Sequence, residues 1–300
     1  MKSKESGITR RDFIKGTGCV AMGMALGLPA VAEEIVSEPV KKARVVLIRD
    51  KDVVTAEGKI DGEIIQRMFD EGISALFENK NVADCWRQVV KPEDVVGIKT
   101  NEWGPLRTPA AVEQAIKRRV LEAGAKEENI AIADRGVREH PVFKKATALI
   151  NTRPMRTHAW SGVGSLIKNY IPFVSYPPDY HPDSCADLGA VWQLPIVKDK
   201  TRLNVLVMLT PLFYGVGPHH FDTTYVWRYG GLLIGADPVA VDTIGLQIFQ
   251  AKRKAYFGEN RPIQPTAHHI AFADTRHGLG VSDPALIDLV RLGWEEDSLI

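Results

Sequence analysis

The sequence predicts an α/β fold: a mostly parallel sheet flanked by helices, with an irregular Pro- and Gly-rich middle segment. Three observations predict it. Short apolar, β-branched runs recur at 43–48, 95–99 and 129–133. Amphipathic helical spacing fills the intervals between them. The connections are short, and strand–helix–strand with short connections is a βαβ unit, which favours parallel pairing.

The first strand is Ala43-Arg-Val-Val-Leu-Ile48. Ile64, Ile65, Met68, Phe69, Ile73 and Leu76 then recur on one helical face and predict a helix over 61–79. Val95-Val-Gly-Ile-Lys99 is the second strand. Thr108 and Pro109 supply an N-cap and a first-turn proline to a helix that ends at Gly124. Asn129 to Ala133 is the third strand. The stretch 151–230 is irregular and rich in Pro, Gly and aromatics, although 203–209 and 232–235 read as strands. Asp237-Pro238 caps a helix running to Lys252, and further helices are expected over 265–276 and 283–292. The prolines at 172, 177, 178 and 182 predict an ordered surface loop, a candidate lid over 170–185.

Composition excludes several classes. At 45% hydrophobic and 25% charged, the 300-residue chain is neither disordered nor a disulfide mini-scaffold. With 38 basic against 37 acidic residues, no polycationic surface for nucleic acid is implied. The opening segment reads as an address. Thr9-Arg10-Arg11-Asp12-Phe13 is a twin-arginine pattern, followed by an apolar stretch over 17–31 and by Ala30-Val31-Ala32. That stretch is short of the roughly 20 residues a membrane span needs. Residues 1–32 are therefore expected to be a twin-arginine signal peptide, with a retained anchor as the alternative. Cleavage after Ala32 would leave 33–300 as a single α/β domain, exported to the periplasm with the twin-arginine (Tat) translocase as a transient partner. Cys85 and Cys185 remain, either as a disulfide or as two buried thiols. No CxxC occurs, so the chain has no iron–sulfur motif.

Ligands of open α/β sheets sit at the carboxyl ends of strands. Lys99 and Asn101 end the second strand; Asp134 and Arg135 end the third. Arg153, Arg156 and His158 follow the segment 149–151. Gathered in one crevice, these cations and amides suit a carboxylate or phosphate. Ser161-Gly-Val-Gly-Ser165 reads as a turn opening a helix that carries Lys168 and Asn169, a second place for an anion. His158 is the acid–base candidate, since imidazole titrates near neutral pH. Asp134 or Asp242 would orient it; Asp242 lies inside an apolar helix and needs a cation, an N–H or a metal. His181, His219 and His220 are candidate ligands for a transition metal, although no HExxH or His-x-His spacing fixes one. His268 and His269 sit on an expected amphipathic helix and read as structural.

Several segments resemble one family in order: Val96-Gly-Ile-Lys99-Thr-Asn101, Ile132-Ala-Asp134-Arg-Gly136, Thr157-His158 with Lys168-Asn169, Asp237-Pro-Val-Ala-Val-Asp242, and His277-Gly-Leu-Gly280. Together they resemble the domain of unknown function 362 family, in a subgroup with twin-arginine signals, over residues 43–292. That resemblance implies no settled activity. Some relatives carry a fused ferredoxin segment, which implies a redox partner protein; this sequence has none. Arg153 and Arg156 stand where the family has lysines, which keeps the charge and changes the hydrogen-bond geometry. Two functions follow as expectations. The first is an exported enzyme acting on a small anionic substrate, with metal assistance. The second is a non-catalytic ligand- or metal-binding accessory protein of a periplasmic redox system.

Overall fold

The computed structural model describes residues 42–215, 217 and 220–300. The signal-peptide reading of 1–32 and the candidate ligand His219 lie outside the described residues. The elements follow in order: β1 (Ala43–Arg49), α1 (Gly62–Leu76), α2 (Val82–Val89), β2 (Val96–Lys99), α3 (Ala110–Glu122), β3 (Ile130–Ala133), α4 (Pro141–Lys145), β4 (Ala148–His158), β5 (Gly162–Gly164), β6 (Thr201–Leu212), β7 (Gly231–Gly235), α5 (Pro238–Phe257), α6 (His268–Thr275) and β8 (Ile287–Gly293). The strands form one mixed, mostly parallel sheet of order β3-β2-β4-β6-β7-β1-β8, with β5 paired antiparallel to the end of β4. The expected α/β architecture is what forms. Among the described residues, no helix is long and apolar enough to cross a membrane.

Each face of the sheet buries its own core. On one face Ile65, Phe69 and Ile73 of α1, Trp86 of α2 and Ile116 of α3 pack on Ile98, Ile150, Val205 and Ile234. On the other, Val241, Ile244 and Ile248 of α5 and Ile270 of α6 pack on Leu47, Leu149, Leu206 and Leu233. Each such side chain contributes about 1.5–3 kcal/mol relative to exposure. Asp61 caps α1 by accepting from the Glu63 and Ile64 N–H groups. Cys85 belongs to the first core and Cys185 to the second, and both are free, buried thiols.

Three local readings are corrected. The expected helix over 283–292 is a short 3-10 turn followed by strand β8, which pairs with β1 along its whole length. Its apolar spacing fits either structure, and pairing with the edge of β1 decides. Thr108 does not cap α3. Its hydroxyl accepts from the Asn101 N–H, and Pro109 takes the cap position with no side-chain bond. The turn at 161–165 opens no α-helix: it holds β5 and leads into a 3-10 stretch, Ile167–Phe173. The irregular middle also begins with β4, an eleven-residue strand buried throughout.

Candidate functional site

The site grows from a polar row crossing three parallel strands. Lys99 of β2 stands in register with Asn151 of β4, and Asn151 with Asn204 of β6. All three side chains are completely buried. Polar groups survive such burial only when they bond one another. Asn151 donates to Asn204 Oδ1 (3.2 Å), and Asn204 donates to the Ala236 carbonyl (2.9 Å). Lys99 Nζ donates to Asp134 Oδ1 (2.6 Å) and to the Thr100 carbonyl (2.7 Å). Asp134, just beyond β3, accepts the Glu102 N–H on its other oxygen (3.0 Å). Burial pushes Lys99 down to about 8 against the pull of Asp134. Burial also pushes Asp134 up, but the Lys99 ammonium and the Glu102 N–H more than reverse this and leave it below its ordinary value.

Further along β4 lie Arg153 and Arg156, both buried. Arg156 donates to Asn101 Oδ1 (2.9 Å), and its guanidinium stacks 4.5 Å over the Trp103 ring. Arg153 donates to the Ser165 and Pro154 carbonyls. Burial lowers the pKa of both, yet a guanidinium keeps its charge. The β4–β5 hairpin makes room for them. A Cβ on Gly164 would lie 2.7 Å from Arg153 Nη2. Gly162, at φ +71°, faces the Pro265 carbonyl at 2.2 Å from where a Cβ would be.

The anion site expected where the turn at 161–165 leads into the next segment is taken by a side chain of the protein itself. Asp242 of α5 accepts from the Leu166 N–H (2.9 Å), the Ile167 N–H (2.9 Å) and the Ser165 hydroxyl (2.6 Å). This is the N–H partnership that its place in an apolar helix demanded. Burial still raises it to about 6, against those three donors. Lys168 lies 3.4 Å from Cys185 Sγ. Burial lowers the lysine, and burial raises the thiol against the lysine's charge. Asn169 Nδ2 is shared among Asn151 Oδ1, the Thr152 carbonyl and the Lys99 carbonyl, which ties the turn to the polar row.

His158 closes β4. Burial first, and then Lys168, Arg153 and Arg156, hold its pKa far below the usual imidazole value. The ring is therefore neutral. Its Nδ1 accepts the Trp160 N–H (3.2 Å), so Nε2 carries the proton. His269 of α6 is the residue the sequence reading passed over. It is completely buried, and neither ring nitrogen has a hydrogen-bond partner. Burial, with Lys168 and Arg153 nearby, lowers it to about 3. Its neighbours on the helix gave no sign of this, because the cations facing it come from β4 and the turn at 168.

Of the residues named from sequence, Lys99, Asn101, Asp134, Arg153, Arg156, His158, Lys168, Asn169 and Asp242 are buried together around β4. Arg135 is not: it is exposed. Of the three candidate metal ligands, His219 lies outside the described residues. His181 packs against Trp160 with tilted rings, centroids 4.3 Å apart, and His220 is exposed. Among the described residues no three His, Cys, Asp or Glu side chains gather as a metal site. Four buried cations (Lys99, Arg153, Arg156, Lys168) thus face two buried carboxylates (Asp134, Asp242), an excess of two positive charges. Arg153 Nη2 and Arg156 Nε are buried without any acceptor.

Comparison with family models, with curated proteins and with solved structures finds no match to the chain.

Proposed function

We propose that this chain is an exported α/β protein that binds a small carboxylate or phosphate in the cationic crevice around β4. One observation carries the reading: Arg153 Nη2 and Arg156 Nε are buried donors without acceptors, in a cluster with two more cations than anions. An unpaired buried donor costs about 1–3 kcal/mol, more when charged, and an anion bridging both guanidiniums removes that cost. Lys99, Asn101 and Lys168 would hold the same ligand from the two flanks. As an enzyme the site would work by polarising a bound oxygen. His158 would donate from Nε2 as a neutral imidazole, and the surrounding cations would stabilise charge developing on that oxygen. The titrating acid–base role expected for His158 is set aside here, because burial among cations keeps it unprotonated.

A second reading, a non-catalytic accessory protein of a periplasmic redox system, also has an observation in its favour. Both candidate carboxylates are already engaged, Asp134 by Lys99 and Glu102 and Asp242 by three donors, so neither is a free base. Turnover separates the readings. The address remains that of a periplasmic protein exported by the twin-arginine route, and the N-terminal residue of protein recovered from the periplasm tests cleavage after Ala32.

The binding test is a thermal unfolding series of the mature protein in phosphate, oxalate or acetate, each against chloride at matched ionic strength. A ligand at a hundredfold its Kd stabilises by about 2.7 kcal/mol. That is a rise of about 5 °C or more for a chain of this size. No rise with any of these anions would overturn the proposal. Loss of turnover with retained binding in His158→Ala would support the enzyme; equal turnover would remove His158 from it.

A further inference from the structure

Resting on the anion-binding reading above, we propose that the ligand of this crevice carries a hydrogen-bond donor, a hydroxyl or an amine, beside its anionic group. The observation is an orphaned acceptor among the cations. Asn169 is almost completely buried, and its Oδ1 has no partner. The amide cannot be turned over to relieve this. Its Nδ2 sits within reach of three acceptors, Asn151 Oδ1 at 2.8 Å and the Lys99 and Thr152 carbonyls at 3.2 Å. Flipping would set an oxygen against those three and leave the nitrogen unpartnered instead. Oδ1 therefore waits for a donor that the protein does not supply.

His269 repeats the argument from a different element. Its ring is neutral, so one nitrogen bears a proton and the other is a bare acceptor. Neither has a partner, although the ring is fully buried. Helix α6, which carries His269, packs against the 3-10 stretch Ile167–Phe173 that carries Lys168 and Asn169, so the ring belongs to the same neighbourhood. A ligand made only of acceptor oxygens, such as acetate, satisfies Arg153 Nη2 and Arg156 Nε. It leaves Asn169 Oδ1 and the acceptor nitrogen of His269 as they are. A ligand with a hydroxyl or amine next to its carboxylate or phosphate satisfies donors and acceptors together. A site whose buried polar groups are built to meet a substrate hydroxyl rejects the analogue lacking it, because those groups are then left unpaired.

The test compares matched pairs by titration calorimetry on the mature protein: glycolate against acetate, and glycerol 3-phosphate against propyl phosphate. A donor-bearing member that binds threefold tighter or more in either pair is the expected result. Ratios below threefold in both pairs overturn the inference and leave the anion site standing. Binding of none of the four overturns the anion-binding reading and this inference with it. His269→Leu supplies the second check. It removes an unpartnered buried imidazole, so the variant is expected to fold. It should narrow the ratio between the paired ligands while the plain anion binds as before; an unchanged ratio would exclude His269 from the site.

Discussion

Lys99 Nζ lies 2.6 Å from Asp134 Oδ1, joining the last residue of β2 to the first residue beyond β3 in a buried ion pair. The pair fixes the lysine whose charge Arg153 must tolerate. Breaking a buried pair from one side leaves an uncompensated charge and costs about 3–5 kcal/mol. Asp134→Asn is therefore expected to lower the unfolding free energy obtained from urea denaturation by that much. The double variant Lys99→Met/Asp134→Leu should be the more stable of the two, since removing both side chains leaves no uncompensated buried charge, although it takes a partner from the Glu102 N–H and the Thr100 carbonyl. A double variant as weak as Asp134→Asn alone would show that packing, not charge, governs the position.

Gly164 sets the position of Arg153. A methyl group there would lie 2.7 Å from Nη2 and 3.3 Å from Cζ. The arginine is buried and cannot swing into solvent, so Gly164→Ala must displace the guanidinium or the hairpin. Crowding of this kind costs about 1–3 kcal/mol. The expected outcome is a modest loss of stability together with a tenfold or greater weakening of phosphate or carboxylate binding. Unchanged anion affinity would mean that Arg153 is not a ligand-binding group.

Much of this site was legible in the sequence, and the exceptions are physical. Lys99, Asn101 and Asp134 follow apolar strands, so strand-end logic reached them. Asp242 stood out because a carboxylate inside an apolar helix face must find a partner, and it found the backbone of the turn at 165–167. The strand β4 was hidden because Asn151, Thr152, Arg153 and Arg156 interrupt its apolar run, while strand recognition from sequence relies on that run. Two of those polar residues meet partners from distant segments, Asn151 with Asn204 of β6 and Arg156 with Asn101 beyond β2. His269 was hidden for the opposite reason. An amphipathic helix accounts for a histidine locally, and only the packing of α6 beside Lys168 and Arg153 makes it unusual.

Asp237 ties two ends of the fold together. Its Oδ1 accepts from the Val239 and Ala240 N–H groups at the start of α5, and its Oδ2 accepts from the Val281 N–H (2.8 Å). A cap alone is worth about 1 kcal/mol and up to about 2. The third bond, to a segment beyond α6, adds about 1 kcal/mol. Asp237→Ala should thus destabilise by about 2–3 kcal/mol in chemical denaturation. Asp237→Asn, which keeps an acceptor for the cap, should lose about half as much. Equal losses would assign the effect to charge at the helix terminus and not to the cap geometry.

Acid should unfold this protein through its histidines. His269 falls to about 3 in the folded chain from an ordinary value of 6.5, because burial disfavours its charged form. A base with a lowered folded pKa contributes stability that is complete above its unfolded value and is lost as the pH falls below it. Each pKa unit is worth about 1.4 kcal/mol. Between pH 6.5 and 4, His269 therefore costs about 3 kcal/mol. His158 shifts in the same direction and further, and costs about as much over the same interval. Asp242 works against them. Its folded pKa is raised from 3.8 to about 6, so its contribution is absent at neutral pH and returns as the pH falls through 6. That recovers about 3 kcal/mol by pH 4. The two imidazoles outweigh the single carboxyl, and the net expectation is a loss of about 3 kcal/mol between pH 6.5 and 4. Urea midpoints at pH 7.0, 5.5 and 4.0 measure it. In His269→Leu one imidazole is gone and Asp242 nearly cancels the other, so the variant should keep its stability across this range. A variant that loses stability as steeply as the parent protein would place the acid-sensitive group elsewhere.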